Sequence, residues 1–146
     1  MEMAESNYGK YAKYVILGPK PNQPTPPLPK GTVTDVAYLD GEVVEGAWNI
    51  ICAWFWPRTQ PITIIPEPHH HNQGEVICFF GSDPKDPFDL CAEVELWMED
   101  YKMTLTKSCM VYAPAGMKHC PLKIIRIDKP IFHFSSVTES QWIQQK

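Results

Sequence analysis

Short runs of apolar residues, separated by glycine, proline and charged turns, dominate the pattern from Gly31 to the end of the chain. Residues 90–98 alternate most clearly, because Glu93 and Glu95 interleave with apolar side chains. A period of two is typical of a half-buried β-strand. Further predicted strands are 32–38, 47–56, 61–65, 76–80, 109–113, 122–127 and 131–134. Many short strands with almost no helical periodicity indicate an all-β sandwich or barrel.

Three segments add detail to this pattern. Both parities of residues 47–56 are largely apolar, which suits a strand covered on both faces by a second sheet or by a partner subunit. The Asp-Gly pair at 40–41 predicts a hairpin-type turn. Residues 138–144 carry Thr138 and Gln141 at the spacing of a capping box, so a short helix is predicted there.

The first 30 residues are predicted to form an extended arm, and residues 31–146 a single barrel domain. Prolines recur between positions 19 and 29, where they exclude a helix and make a central strand unfavourable. Such an arm either packs along its own barrel or crosses to a neighbouring subunit. A chain of 146 residues is long enough to form one domain with its own core.

Charge and composition exclude several classes of partner. The net charge of −4 lacks the basic surface that nucleic acids or anionic membranes require. No apolar run reaches the roughly 18 residues that cross a bilayer. The polar, acidic N-terminus has no apolar segment, so a signal peptide is not expected.

The five cysteines are odd in number and form no Cys-x-x-Cys pair. Each lies in or beside a strand-like run, which favours buried free thiols in a reducing compartment. A cytoplasmic location is the resulting expectation. Cys120 lies next to a histidine and could reach a metal or a substrate, but no second thiol accompanies it, which favours the buried free thiol.

A group of histidines with one carboxylate carries the candidate chemistry. His69 and His71 are two residues apart, so on a strand they point to the same face. Glu75 follows Gly74, where a backbone bend costs little and the carboxylate can turn toward the same point. His119 comes from a second predicted strand and can close a mononuclear metal site. Imidazole with carboxylate admits iron, manganese, nickel, cobalt or zinc as one divalent ion.

Two alternatives to this ligand set stay open. His70 has the opposite parity and is expected at the surface, but a bulge at Gly74 could shift the register so that His70 replaces His69. The three consecutive histidines could also be an exposed loop that binds metal only by accident. Their position between two strand-like segments favours a built site instead.

The first half of this pattern resembles the first motif of the cupin superfamily. That motif reads Gly-x5-His-x-His-x3,4-Glu-x6-Gly, and its ligand positions match His69, His71 and Glu75. Gly81 lies one place short of the closing glycine, and Thr63 replaces the opening one. Both departures fall at turn positions rather than at ligand positions.

The second cupin motif, Gly-x5-Pro-x-Gly-x2-His-x3-Asn, is also recognisable. Pro114, Gly116 and His119 match it, whereas Ser108 and Lys123 replace its first glycine and its asparagine. The proline and glycine suit the second and fourth positions of a type I turn just before His119. The resemblance covers about residues 63–123.

The resemblance implies a double-stranded β-helix, or jelly-roll barrel, with one divalent metal held by His69, His71, Glu75 and His119. Cupins with these ligands include dioxygenases, decarboxylases, isomerases and lyases, so the reaction stays open. The expected function is an enzyme on a small carboxylated or phenolic molecule, with the metal as Lewis acid or oxygen-activating centre. Glu75 would also be the catalytic candidate, acting as a base when it leaves the metal. The alternative is a non-catalytic metal-assisted binding or sensing module.

The remaining expectations concern assembly and less specific residues. Edge strands and the arm favour a homodimer. His133 is expected to be a hydrogen-bonded core histidine rather than a catalytic one. Four aromatic residues are expected to pack in the core rather than line a substrate pocket: Trp48, Trp54, Tyr112 and Phe134. Three charged strand residues are expected to face solvent rather than a polar cavity: Glu93, Glu95 and Arg126.

Overall fold

The computed structural model describes residues 7–21 and 27–146, and these contain one short 3₁₀-helix and nine β-strands. The helix spans Gly9–Tyr14. The strands are β1 Val33–Leu39, β2 Asn49–Phe55, β3 Ile62–Ile65, β4 Glu75–Gly81, β5 Asp89–Met98, β6 Tyr101–Lys107, β7 Cys109–Ala113, β8 His119–Ile127 and β9 Ile131–Val137. None of the described helices is long and apolar enough to cross a membrane.

Two antiparallel sheets face each other. The five-stranded sheet has the order β1-β2-β9-β4-β7, and the four-stranded sheet has the order β3-β8-β5-β6. Apart from β1 and the β5–β6 hairpin, successive strands alternate between the sheets. Eight strands connected in this way form a jelly roll. The predicted all-β jelly-roll fold is therefore confirmed by the strand order itself.

The hydrophobic core lies between the inner faces of the sheets. Alternate residues of β5 are buried, among them Leu90, Val94 and Leu96, because a strand with one solvated face buries every second side chain. Phe79 of β4 and Ile124 of β8 meet them from the two sheets and are almost fully buried. This core fills the middle of the barrel and leaves one end for polar groups.

Every predicted strand is present, but the prediction missed β6. Its sequence is YKMTLTK, and in it only Met103 and Leu105 pack against the core. β6 lies at the edge of the four-stranded sheet, so most of its side chains are exposed and give a weak apolar signal.

The predicted helix at 138–144 is wrong. This segment follows β9 as irregular chain, and Gln145 pairs with His70. Its carbonyls accept from distant backbone N–H groups, with Gly41 N donating to Ser140 O over 2.8 Å. These non-local hydrogen bonds take the place of the helical ones.

The predicted turn at 40–41 is also longer than expected. Val43 N donates to Asp40 O, which closes a turn there, but the connection continues to the start of β2 at Asn49. The buried Asp40 carboxylate holds this loop by accepting from the backbone N–H groups of Glu42 and Val43. An Asp-Gly pair therefore begins a loop rather than forming a two-residue hairpin.

The part of the predicted arm before residue 22 runs beside β1. Gly18 pairs in parallel with Ala37, and Lys20 Nζ lies 2.9 Å from Asp40 Oδ2. Pro24 and Pro26 lie outside the described residues. The division of the chain at residue 30 remains a prediction.

All five cysteines are free, as predicted. Cys78 and Cys120 are buried, whereas Cys52, Cys91 and Cys109 are partly exposed. The expectation of full burial therefore holds for only two of them.

Candidate metal centre

Four predicted ligand residues meet at one end of the barrel. His119 begins β8 and Glu75 begins β4, while the segment with His69 and His71 precedes β4. His69 and His119 pair through both backbone hydrogen bonds, of 3.0 and 2.9 Å, so their side chains are neighbours. All four residues are at most 5% exposed. The structure thus brings together residues up to 50 positions apart, from 69 to 119.

A β-bulge directs His119 inward. Leu96 pairs with Leu122, but Met98 pairs with His119, so β8 has one extra residue between these pairs. In a regular strand His119 and Leu122 would point to opposite faces, yet both are buried. The bulge contains Cys120, whose φ of 77° lies in the left-handed region. Bulges commonly redirect a side chain in this way beside functional sites.

The side-chain ligand atoms form two overlapping clusters. Atoms of His71, Glu75 and His119 lie within 4.8 Å of one another, and so do atoms of His69, His119 and Cys120. The imidazole centroids of His69 are 4.5 Å from those of His119 and 5.0 Å from those of His71. His119 belongs to both clusters, so the three imidazoles surround a common region.

Backbone carbonyls define the tautomer of each histidine. His69 Nδ1 lies 2.9 Å from Glu67 O, and His119 Nδ1 lies 3.2 Å from Met117 O. His71 Nδ1 lies 2.6 Å from the carbonyl of Ile143. A carbonyl only accepts, so each Nδ1 must carry the proton and donate it. The lone pair of each neutral ring is then on Nε2, which leaves that atom available for a metal.

Several polar atoms at the centre have no hydrogen-bond partner among the described residues. These buried atoms are Nε2 of His71, Nε2 of His119 and Oε2 of Glu75. The carboxylate faces two of these imidazoles, with His71 Nε2 2.6 Å from Glu75 Oε2 and His119 Nε2 3.7 Å from Glu75 Oε1. Buried polar atoms without partners are rare and call for an explanation. Imidazole nitrogens and a carboxylate oxygen that converge in this way fit a divalent transition metal.

The charges at the site are set by burial and by the carboxylate. Burial lowers the pKa of His69, and repulsion from His119 and His71 adds to this effect. Burial also disfavours the charged form of His71, but the adjacent Glu75 outweighs it and raises the pKa. Burial alone would raise the pKa of Glu75, whereas His119 and His71 bring it down to about 2. Glu75 is therefore ionised at every physiological pH.

His70 and Cys120 take different positions from the four residues above. Among the described residues, the clusters of ligand atoms do not include His70, whose backbone instead pairs with Gln145. The alternative in which His70 replaces His69 is not the arrangement observed. Cys120 reaches the cluster of His69 and His119. Burial raises the pKa of its thiol to about 12, so the thiol is protonated near neutral pH.

Glycines near the site act differently from the prediction. The backbone at Gly74 has no left-handed φ; instead, a Cβ there would lie 2.1 Å from the hydroxyl of Tyr112. Gly74 therefore makes room for an aromatic ring rather than a bend. The turn before His119 runs from Pro114 to Met117, with Gly116 at its third position and a φ of 81°. This geometry suits a type II turn and not the predicted type I turn.

The C-terminal segment contributes contacts that the sequence did not reveal. The Trp142 ring lies 5.5 Å from His69 and 5.3 Å from His71, between ring centroids. The Ile143 carbonyl orients His71, as described above. Glu139 Oε2 is buried without a partner among the described residues. Trp142 is the one signal of these contacts in the sequence, and a helix over 138–144 would not by itself place it at the site.

The predictions for residues outside the ligand set, namely His133 and the aromatic and charged strand residues, hold only in part. His133 donates from Nδ1 to Cys78 O and stacks on Phe55, so the expected hydrogen-bonded core histidine is confirmed. The aromatic residues that were expected in the core do not fill it. Trp48 and Tyr112 are exposed, while Trp54 and Phe134 lie on the outer face of the five-stranded sheet. The charged residues of β5 and β8 lie on the outer side of the other sheet, as expected.

Solved structures with a similar fold include three that cover most of this chain at low sequence identity. KdgF from Halomonas sp. is 15% identical over 79% of this chain and 86% of its own, with a TM-score of 0.43. An uncharacterised protein with a double-stranded β-helix domain from Klebsiella pneumoniae is 14% identical over 82% and 89%, with a TM-score of 0.47. Oxalate oxidase in complex with a substrate analogue, glycolate, is 12% identical over 85% and 59%, with a TM-score of 0.49.

These similarities are too low to inform the chemistry of this chain. No protein-family model and no curated protein matches the sequence. The fold therefore rests on the strand order, and the candidate site on its own residues.

Proposed function

We propose that the chain binds one divalent transition metal ion through His69, His71, Glu75 and His119. The observation that carries this proposal is the common tautomer of the histidines, each of which donates Nδ1–H to a carbonyl and so carries its lone pair on Nε2. Hydrogen bonds from the remote ring nitrogen are the usual support of metal-binding histidines. With one carboxylate, the ligand set leaves the ion a net positive charge and room for a further ligand.

We further propose that the chain is an enzyme acting on a small carboxylated or phenolic molecule. A bound ion would act as Lewis acid or as an oxygen-activating centre. Glu75 remains the catalytic candidate, but its pKa of about 2 makes it a poor general base near neutral pH. Its ionised state favours the role of a permanent metal ligand.

Metal analysis of the purified protein tests the ligand set directly. We expect one ion per chain in the wild type, and loss of most of that metal in His71→Ala, Glu75→Gln and His119→Ala. His70→Ala is the matched control, because it removes a neighbouring imidazole that lies outside the cluster. Full metal content in His119→Ala, or equal loss in His70→Ala, would contradict the four-ligand site.

A second function, metal-assisted binding or sensing without turnover, is supported by the closure of the site. All four proposed ligands are buried, and Trp142 packs against two of them. A screen of carboxylated and phenolic compounds, with and without oxygen, separates the two functions. Consumption of a compound that depends on the metal supports the enzyme, whereas saturable binding without product supports the sensor.

We also propose a homodimer formed through the outer face of the five-stranded sheet. Register places Trp54, Phe132, Phe134 and Phe80 side by side on this face, and no charged side chain occurs among its described strand positions. The opposite sheet instead exposes charged residues such as Lys123. Five strands about 4.8 Å apart and seven residues long give a footprint of about 500 Å². With side-chain relief, this approaches one half of a standard interface.

A second copy suits this face because a surface without charge complements itself across a two-fold axis. Sedimentation is expected to give twice the chain mass for the wild type. Phe134→Glu and Trp54→Glu should yield folded monomers, because each places two carboxylates together in the dimer. Thr104→Glu, on the other sheet, is the control. A monomeric wild type at tens of micromolar, or dimeric Glu variants, would contradict the proposal.

The free cysteines support a reducing, cytoplasmic setting for this protein.

A further inference from the structure

The C-terminal segment, residues 138–146, crosses the end of the barrel at which the candidate ligands meet. Its first part is tied to the β1–β2 connection, since Gly41 N donates to Ser140 O and Asn49 N donates to Glu139 O, both over 2.8 Å. Its last part lies on the histidine segment. The segment therefore spans the site from one side to the other.

Each of the three consecutive histidines is contacted by this segment. His70 exchanges two backbone hydrogen bonds of 2.7 Å with Gln145. His71 donates to the carbonyl of Ile143 over 2.6 Å, and the Trp142 ring packs on the rings of His69 and His71. These contacts involve backbone and ring surfaces together, so they fix the segment in one position.

Burial of the candidate site depends on this C-terminal segment. His69 and His71 are each 1% exposed, although they lie outside the regular strands at the barrel end. The segment itself is exposed on its outer side, where Ser140, Gln141 and Ile143 contact solvent. Apart from the Gln145 bridge the segment has no regular strand or helix, and its contacts with the site come from the histidine segment alone, so it opens more readily than the core strands behind it.

We propose that residues 141–146 form a releasable cover over the candidate metal centre, and that their displacement admits the ion and the substrate. This inference rests on the function proposed above, since it assigns the regulation of the same site. The Trp142 ring closes the opening, and the paired hydrogen bonds between His70 and Gln145 hold the closed position. The Ile143 carbonyl couples the cover to the site, because it accepts the hydrogen bond that orients His71 only when the cover is closed.

The test compares the wild type with a chain ending at Ser140, which keeps the two hydrogen bonds from Gly41 and Asn49. Trp142→Ala removes the ring alone. Ile143→Ala is the matched control, because its side chain is 48% exposed and its carbonyl remains in place. Circular dichroism first establishes that each variant is folded.

Two readouts separate failure of the cover from failure of the metal site. The first is the rate at which a chelator removes Co²⁺ from the loaded protein, expected to rise by about tenfold or more in the shortened chain and in Trp142→Ala. The second is the rate at which diethyl pyrocarbonate modifies His69 and His71 in metal-free protein, expected to rise in the same variants. Ile143→Ala should match the wild type in both.

The outcomes are distinct. Faster modification in a protein that binds no Co²⁺ would support the cover while contradicting the metal site. Unchanged removal of Co²⁺ and unchanged modification in the shortened chain would overturn the cover, even if one ion per chain were bound. A rise in Ile143→Ala equal to that in Trp142→Ala would also overturn it, because general loosening of the chain end would then explain the effect.

Discussion

His133 provides a quantitative test of the core, because its ring is enclosed between aromatic residues. Its centroid lies 4.8 Å from Phe55 and 4.9 Å from Phe79, and Nδ1 donates to Cys78 O. Burial lowers its pKa from 6.5 to about 4, with the hydrogen bond to Cys78 and the distant Glu75 opposing the shift only in part. The neutral ring is therefore the form that the folded protein accepts.

The sign of the pH effect follows from this depressed pKa. The unfolded chain takes up a proton near pH 6.5 and the folded chain only near pH 4, so stability falls as the pH drops between these values. The total loss is about 3 kcal/mol at 1.36 kcal/mol per pKa unit, of which about 2 kcal/mol has occurred at pH 5. Because the residue as a whole is only partly buried, these figures are upper limits.

Replacing His133 with Phe removes the titration and keeps a ring in the same space. At pH 7.5 the variant should be less stable by about 1 kcal/mol, since the hydrogen bond to Cys78 O is lost. At pH 5 it should be more stable than the wild type by about 1 kcal/mol. Urea unfolding of metal-free protein, followed by tryptophan fluorescence, measures both differences.

Val94→Ala serves as the control, because Val94 is fully buried and does not titrate. Its cost should be the same at the two pH values. If His133→Phe also gave one constant difference, with no reversal of sign, the inference that burial holds His133 neutral would be wrong.

Two further predictions concern backbone contacts. A Cβ at Gly81 would lie 2.0 Å from the Asp89 carbonyl, so Gly81→Ala should cost more than about 2 kcal/mol in unfolding free energy. Gly74→Ala meets the exposed side chain of Tyr112, which can turn toward solvent, and should cost less than about 1 kcal/mol. Similar losses from both would contradict this distinction. Asp40→Ala should cost about 2 kcal/mol, because the buried carboxylate satisfies two backbone N–H groups and Lys20. Lys20→Ala should cost less, because its ion pairs with Asp40 and Glu42 are lost while the backbone hydrogen bonds to Asp40 remain; the reverse order in thermal unfolding would refute this.

Much of the fold could be predicted because alternation is a local property. The segment 90–98 shows apolar residues at every second position, and its inner residues are buried as that pattern requires. β6 escaped prediction because an edge strand needs only one partner and can expose most of its side chains. Its backbone pairing with β5, rather than its own pattern, makes it a strand.

The convergence of the four candidate ligands could be predicted from their spacing, but not the reasons for their positions. The expected ligands at 69, 71, 75 and 119 do converge. His119 faces inward only because of the bulge at Cys120, and no residue pattern identified that bulge. The predicted helix at 138–144 failed because its capping-box signal competes with hydrogen bonds to residues about 90 positions away.

The polar end of the barrel is held together by pairings between segments that are distant in sequence. His69 pairs with His119, Gly116 N donates to His71 O, and His70 pairs with Gln145. Each of these bonds forms only when the barrel is closed, so none of them is encoded by a local motif. An ion bound at this end would add a further non-local link among the same segments, because its ligands belong to them. Metal binding should therefore stabilise the folded chain as a whole and not only its own site.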